Sequence, residues 1–159
     1  CYLPGVPRLM YMHFPFQIIQ TPNDLTMLFE YVHAVRFIFT NRSPHPRGRI
    51  DWWLGDSRGR WEGDTLVVDA VHFNNQTWFD RAGNFHSEAL HLVERYTLIS
   101  PDHIQYDVTI EDPKVFTRPW NMSMVFYRHK QKNMQLFDYE CYAFDLEKYY
   151  PYPEMRGPQ

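Results

Sequence analysis

The densest grouping of chemistry-bearing side chains in this sequence is His86-Ser87-Glu88-Ala89-Leu90-His91-Leu92-Val93-Glu94. Imidazoles and carboxylates this close together can serve as acid and base, or ligate Zn²⁺. The spacing works against a metal. Ligating histidines on a helix stand at i,i+3 or i,i+4, whereas His86 and His91 stand at i,i+5. On a strand an odd separation sends them to opposite faces. We therefore expect no metal and no cofactor, and read the two histidines as polar residues framing the entry to a strand. Asp80 follows Trp78 and precedes Gly83, which places it in a turn. It either stabilises that turn through its carboxylate or joins His86 and Glu94 at the mouth of a barrel. Asp80, His86, His91 and Glu94 are thus the candidate catalytic residues. Glu111-Asp112, just before Pro113, read as exposed acids at a strand end.

These residues sit among short strands separated by turns. Phe14 to Gln20, Leu25 to Tyr31 and Val35 to Thr40 read as strands, with a turn at Thr21-Pro22-Asn23-Asp24. Pro44 and Pro46 bar a central strand across Asn41 to Pro46 and mark a loop. Glu62-Gly63-Asp64 is a tight turn with glycine where a positive φ is needed. Thr65 to Phe73 is apolar on both faces, as in a central strand. Leu90 to Ile99 pairs with Ile104 to Ile110 across Ser100-Pro101-Asp102-His103, and Trp120 to Arg128 pairs with Met134 to Cys141. One short helix is expected near Ser87 to Leu90. Strand–turn–strand order with no amphipathic helices between predicts an all-β fold. We expect a single antiparallel meander forming a small barrel or a strongly curved sheet over residues 14–147. Residues 1–13 and 148–159 hold closely spaced prolines and are expected to form extended N- and C-terminal arms.

A chain of 159 residues with 44% hydrophobic and 22% charged residues supports one domain with a real core. No apolar run approaches the roughly 20 residues of a spanning helix, so no transmembrane segment is expected. The net charge of -3 and pI near 6.2 argue against a nucleic-acid partner. Residues 1–60 carry seven Lys/Arg against four Asp/Glu, residues 61–112 two against ten, and residues 113–159 seven against five. The middle is therefore acidic and the ends mildly basic. Aromatic residues reach 18%, an unusual surplus that supplies binding anchors. Phosphate loops and paired-cysteine motifs do not occur. The cysteines, Cys1 and Cys141, lie near opposite ends. A bridge between them would close nearly the whole chain and stabilise it by roughly 4–5 kcal/mol. The alternatives are a lipidated Cys1 or two unrelated thiols.

The stretch Gly55-Asp56-Ser57-Arg58-Gly59-Arg60-Trp61-Glu62-Gly63-Asp64-Thr65-Leu66-Val67-Val68-Asp69 is long and specific. Together with Cys1-Tyr2-Leu3-Pro4-Gly5-Val6-Pro7-Arg8, Thr77 to Ser87, Leu90-His91-Leu92-Val93-Glu94-Arg95 and Glu111-Asp112-Pro113, it resembles a family of uncharacterised exported proteins of soil bacteria. The resemblance covers most of residues 1–141. It implies a periplasmic or otherwise extracytoplasmic location. It also implies that the Cys1 motif is internal, with further sequence before it. Relatives often continue after the late cysteine with His-Glu-Gly-Asn, where this chain has Tyr142-Ala143-Phe144-Asp145.

Three functions follow, in order. The first is a non-catalytic accessory or scaffold subunit docking on protein partners in a larger extracytoplasmic assembly, such as one at a membrane. Its contacts would include Tyr149, Tyr150, Tyr152, Met155 and Arg156 in the C-terminal arm. The second is a barrel that binds a small apolar or aromatic ligand. The third is a hydrolase or lyase using the His/Glu set. The balance leans away from an enzyme.

Overall fold

In a computed structural model, the protein is described over residues 2–138. Eight strands form one sheet in strict sequence order: β1 (Phe16–Gln20), β2 (Asp24–Phe29), β3 (Val35–Phe39), β4 (Asp56–Glu62), β5 (Thr65–Val71), β6 (His91–Ser100), β7 (His103–Glu111) and β8 (Trp120–Tyr127). The sheet curls into a half-barrel and leaves β1 and β8 as its two edges. The expected all-β, strongly curved meander is present.

Turn chemistry sets most of the register. Thr21 accepts the N–H groups of Asn23 and Asp24 through its hydroxyl and so closes the β1–β2 turn. Gly63 takes φ 59° in the two-residue β4–β5 turn, the conformation predicted for it. Pro101 occupies the second position of the β6–β7 turn, where its fixed φ suits a type I turn.

One connection departs from a pure antiparallel meander. β3 and β4 are parallel, with Ile38 opposite Ser57 and Phe39 opposite Arg58. A parallel pair needs a long crossover. Residues 40–55, with their two prolines, supply it, anchored at its end by Trp52, whose N–H donates to the His72 carbonyl at 2.8 Å.

The concave face holds the core. Side chains from successive strands meet there: Met27, Ile38, Leu66, Val68, Leu92, Tyr106, Val108 and Ile110. β5 is buried on both faces at Val67 and Val68, as its two apolar faces predicted.

Other expectations need correction. Residues 2–13 do not form an extended arm. They carry a one-turn helix, α1 (Arg8–Tyr11), and bury Val6, Leu9 and Met10 in the core. A half-barrel leaves its inner face open at the seam, and this apolar segment covers part of it. Burial beside Phe79 also pushes the Tyr11 phenol up to about 12, with its hydroxyl donating to the Phe79 carbonyl. Residues 134–138 form no strand against β8. They turn back instead, and the Phe137 N–H donates to the buried Glu30 carboxylate at 2.9 Å. Ser87 to Leu90 is a turn closed by the Leu90 N–H on the Ser87 carbonyl, not a helix. The candidate Cys1–Cys141 bridge and the contacts at Tyr149, Tyr150, Tyr152, Met155 and Arg156 lie outside the described residues.

Candidate functional site

The four candidate catalytic residues fall into separate networks. Asp80 closes its own turn: it accepts the Asn84 backbone N–H at 3.2 Å and the Asn84 side-chain amide. Those bonds, the side-chain amide first, hold its carboxyl below the ordinary value. The turn-stabilising alternative is the one present.

His86 is buried between Phe73 and Phe79, whose ring centroids lie 6.0 and 5.6 Å from its own. Nδ1 donates to the Ser87 carbonyl at 2.9 Å, and Nε2 accepts the Thr77 hydroxyl at 2.6 Å. Both nitrogens are satisfied by the neutral ring, and burial lowers the pKa from 6.5. A histidine held neutral in the fold takes its proton first in the unfolded chain. Its contribution to stability is therefore complete above pH 6.5 and is lost as the pH falls toward the folded value. Urea unfolding of the wild type should weaken between pH 7.5 and 5.5 by more than that of His86→Gln. One group can add a slope of at most about 1.4 kcal/mol per pH unit.

Glu94 lies at the centre of the concave face. Its carboxylate takes both ends of the Arg36 guanidinium and accepts the hydroxyls of Tyr96 at 2.9 Å and Tyr106 at 2.8 Å. Arg36 also donates to Ser57 Oγ at 2.9 Å. Burial alone would raise the Glu94 pKa, but the Arg36 charge and these hydrogen bonds hold it below the ordinary range. The same burial pushes both tyrosines well upward.

His91 alone of the four reaches a solvent-facing cluster, on the convex side of the sheet. Cross-strand register sets Arg58 opposite Asp69 and His91 opposite Glu111. The β3–β4 crossover then lays His45 across them. His45 Nδ1 lies 2.6 Å from Asp56 Oδ2, and its Nε2 lies 3.2 Å from Asp69 Oδ1. His91 Nε2 stands 3.3 Å from that same Asp69 oxygen, and its Nδ1 lies 3.6 Å from Glu111. Arg58 grips Asp56 with two bonds of 2.6 and 2.7 Å and reaches Ser43 on the crossover. Burial would raise the Asp56 pKa, but the Arg58 and His45 bonds lower it.

Through His45 and the Arg58–Ser43 bond, this network pins the crossover to the sheet. Among the described residues, no three His, Cys, Asp or Glu side chains stand where they could hold a metal ion.

Sequence reasoning missed Asp56, Asp69 and His45 because register and a crossover, not chain proximity, bring them to His91. Asp112 is also misread as exposed. It is buried and accepts the Ser87 backbone N–H and hydroxyl, at 2.5 and 2.8 Å, which ties the loop before β6 to the end of β7.

The convex face beside this cluster is different in kind. β3 is inside-out. Its single charge, Arg36, points into the core at 2% exposure, while Val35, Phe37 and Phe39 point outward at 41, 54 and 36%. Ile19 on β1 and Leu28 on β2 lie on the same side by register. Phe39 joins the two halves of the face, with the Arg58 guanidinium 4.6 Å from its ring centroid. The convex side is therefore apolar over β1–β3 and ionic over β4–β7.

No protein family, no curated protein and no solved structure matches this chain.

Proposed function

We propose that this chain is a non-catalytic docking subunit of an extracytoplasmic assembly, and that it binds its protein partner through the convex face of β1–β3. The observation that carries the reading is the inverted polarity of β3. A strand that sends its charge inward and three large apolar side chains outward wastes burial unless something covers the outer side. Arg58 over Phe39, with the ionic cluster next to it, gives the patch the polar rim that protein interfaces share. Asp80, His86 and Glu94 are each engaged in structural contacts, which fits a subunit that does no chemistry of its own. The extracytoplasmic location rests on the family resemblance.

The test is Phe37→Glu in the full chain, expressed in its native host. Because Phe37 is exposed, stability should change by about 0.5 kcal/mol or less. Loss of a central aromatic anchor at an interface costs about 2–4 kcal/mol, so retention of the partner should fall at least 30-fold. A photo-crosslinker at position 37 should give one dominant adduct, and one at the polar position Gln105 none. Undiminished recovery of the same complex by Phe37→Glu would sink the reading.

A further inference from the structure

The edges β1 and β8 do not pair with each other among the described residues, and a cleft of about 1060 Å³ lies in the seam between them. Phe16 and Phe126 meet edge to face across it, with centroids 5.3 Å apart. Met10, Ile18, Ile104 and Leu136 complete an apolar lining. Ligand-holding clefts run to roughly 300–1,000 Å³, so the space is large enough for a flexible amphiphile.

Arg128, His129, His103 and Asp102 also line the cleft, and Arg128 brings a permanent positive charge to it. Asp102 is neutralised by its ion pair with Lys130, which holds its carboxyl below the ordinary value. His103 is tied to Ser100 Oγ at 2.7 Å. Arg128 donates its backbone N–H to the Asp102 carbonyl at 2.9 Å. Its guanidinium makes no hydrogen bond or ion pair among the described residues and acts on Asp102 only through space. A guanidinium with no carboxylate partner among the described residues, in the lining of an apolar slot, is complementary to a single negative charge on an apolar chain. A guanidinium fork also matches a carboxylate with two parallel bonds.

We propose that the β1–β8 seam binds one long-chain carboxylate, with its tail between Phe16, Ile18 and Phe126 and its head on Arg128. The site borders the proposed docking face at β1 and Leu28, but Arg128 and much of the rest of its lining come from β7, β8 and the residues after β8, so the two are tested separately. Each methylene entering the slot removes apolar surface from water, which tightens binding roughly three- to fourfold, the equivalent of about 0.8 kcal/mol.

Titration of the full chain with octanoate, decanoate and dodecanoate, below micelle formation, should give affinities that rise about tenfold or more per step of two carbons. Arg128→Gln should weaken dodecanoate about tenfold and leave dodecanol unchanged. A diazirine-bearing decanoate should label residues 12–18 or 125–136. Affinity independent of chain length, equal binding of dodecyltrimethylammonium, or indifference to Arg128→Gln would each overturn the proposal. Labelling confined to residues 35–39 would overturn it too, since the acid would then be coating the exposed face of β3.

Discussion

Glu94→Ala is expected to lower unfolding stability by about 3–5 kcal/mol in urea titrations at pH 7, a large share of the 5–15 kcal/mol typical of a domain. The carboxylate is fully buried against Arg36, Tyr96 and Tyr106. Its removal leaves a guanidinium in the core with only Ser57 and a tyrosine hydroxyl to answer it. The double variant Arg36→Met/Glu94→Leu removes both charges and keeps the volume. It should lose less than the single variant, its remaining cost being the Tyr96 and Tyr106 hydroxyls left without their acceptor, because the pair's attraction mostly offsets its own desolvation. If Glu94→Ala does not fold, the double variant still decides the matter. Were it as unstable as the single variant, the pair would not be the reason. The same geometry fixes the response to acid. Glu94 and Asp56 both have folded pKa values below their unfolded ones. Their contribution is complete above the unfolded carboxylate value of about 4 and is lost as the pH falls through the lower folded values.

Gly55→Ala should cost about 2–5 kcal/mol, read as a shift of the urea midpoint with unchanged slope. Gly55 sits just before β4 with φ 68°. An L side chain there costs roughly 1–2 kcal/mol in backbone strain. The added Cβ would also stand 2.6 Å from the buried Phe73 ring and 2.8 Å from the Val71 carbonyl. Neither can retreat: Phe73 is packed against His86, and the Val71 carbonyl belongs to the backbone of β5. Overpacking of this kind adds about 1–3 kcal/mol. Gly63→Ala makes a clean comparison, since it has a similar φ but open space around it and should show the backbone part alone. Equal losses for the two would show that contact with Phe73 contributes nothing. Because the Gly55 turn leads directly into Asp56, Gly55→Ala should also loosen the His45 contact, visible as a shift of the His45 ring protons.

The strands and most turns are legible in the sequence because their signals are local. Alternation at Ile104, Tyr106, Val108 and Ile110, glycine at position 63 and proline at position 101 each act within a few residues, and each appears where expected. The burial of residues 2–13 was not legible. Pro4 and Pro7 favour extension locally, whereas the open concave face that draws in Leu9 and Met10 is made by strands far along the chain. Position 36 was visible as one charge in an apolar run, yet its meaning depends on Glu94, 58 residues away.

The sequence by itself determined that this is an all-β meander with a real core, because the period-two pattern and turn residues leave no room for α-helices between strands. Only the tertiary structure decided which polar residues meet. Curvature brought Arg36 and Glu94 together across the inner face, and the crossover between two parallel strands carried His45 onto Asp56 and Asp69. It also decided which side of β3 faces water. Alternation shows that Arg36 and its apolar neighbours take opposite sides, but not which side is inside. The partner for the buried charge settles that, and it turns Val35, Phe37 and Phe39 outward.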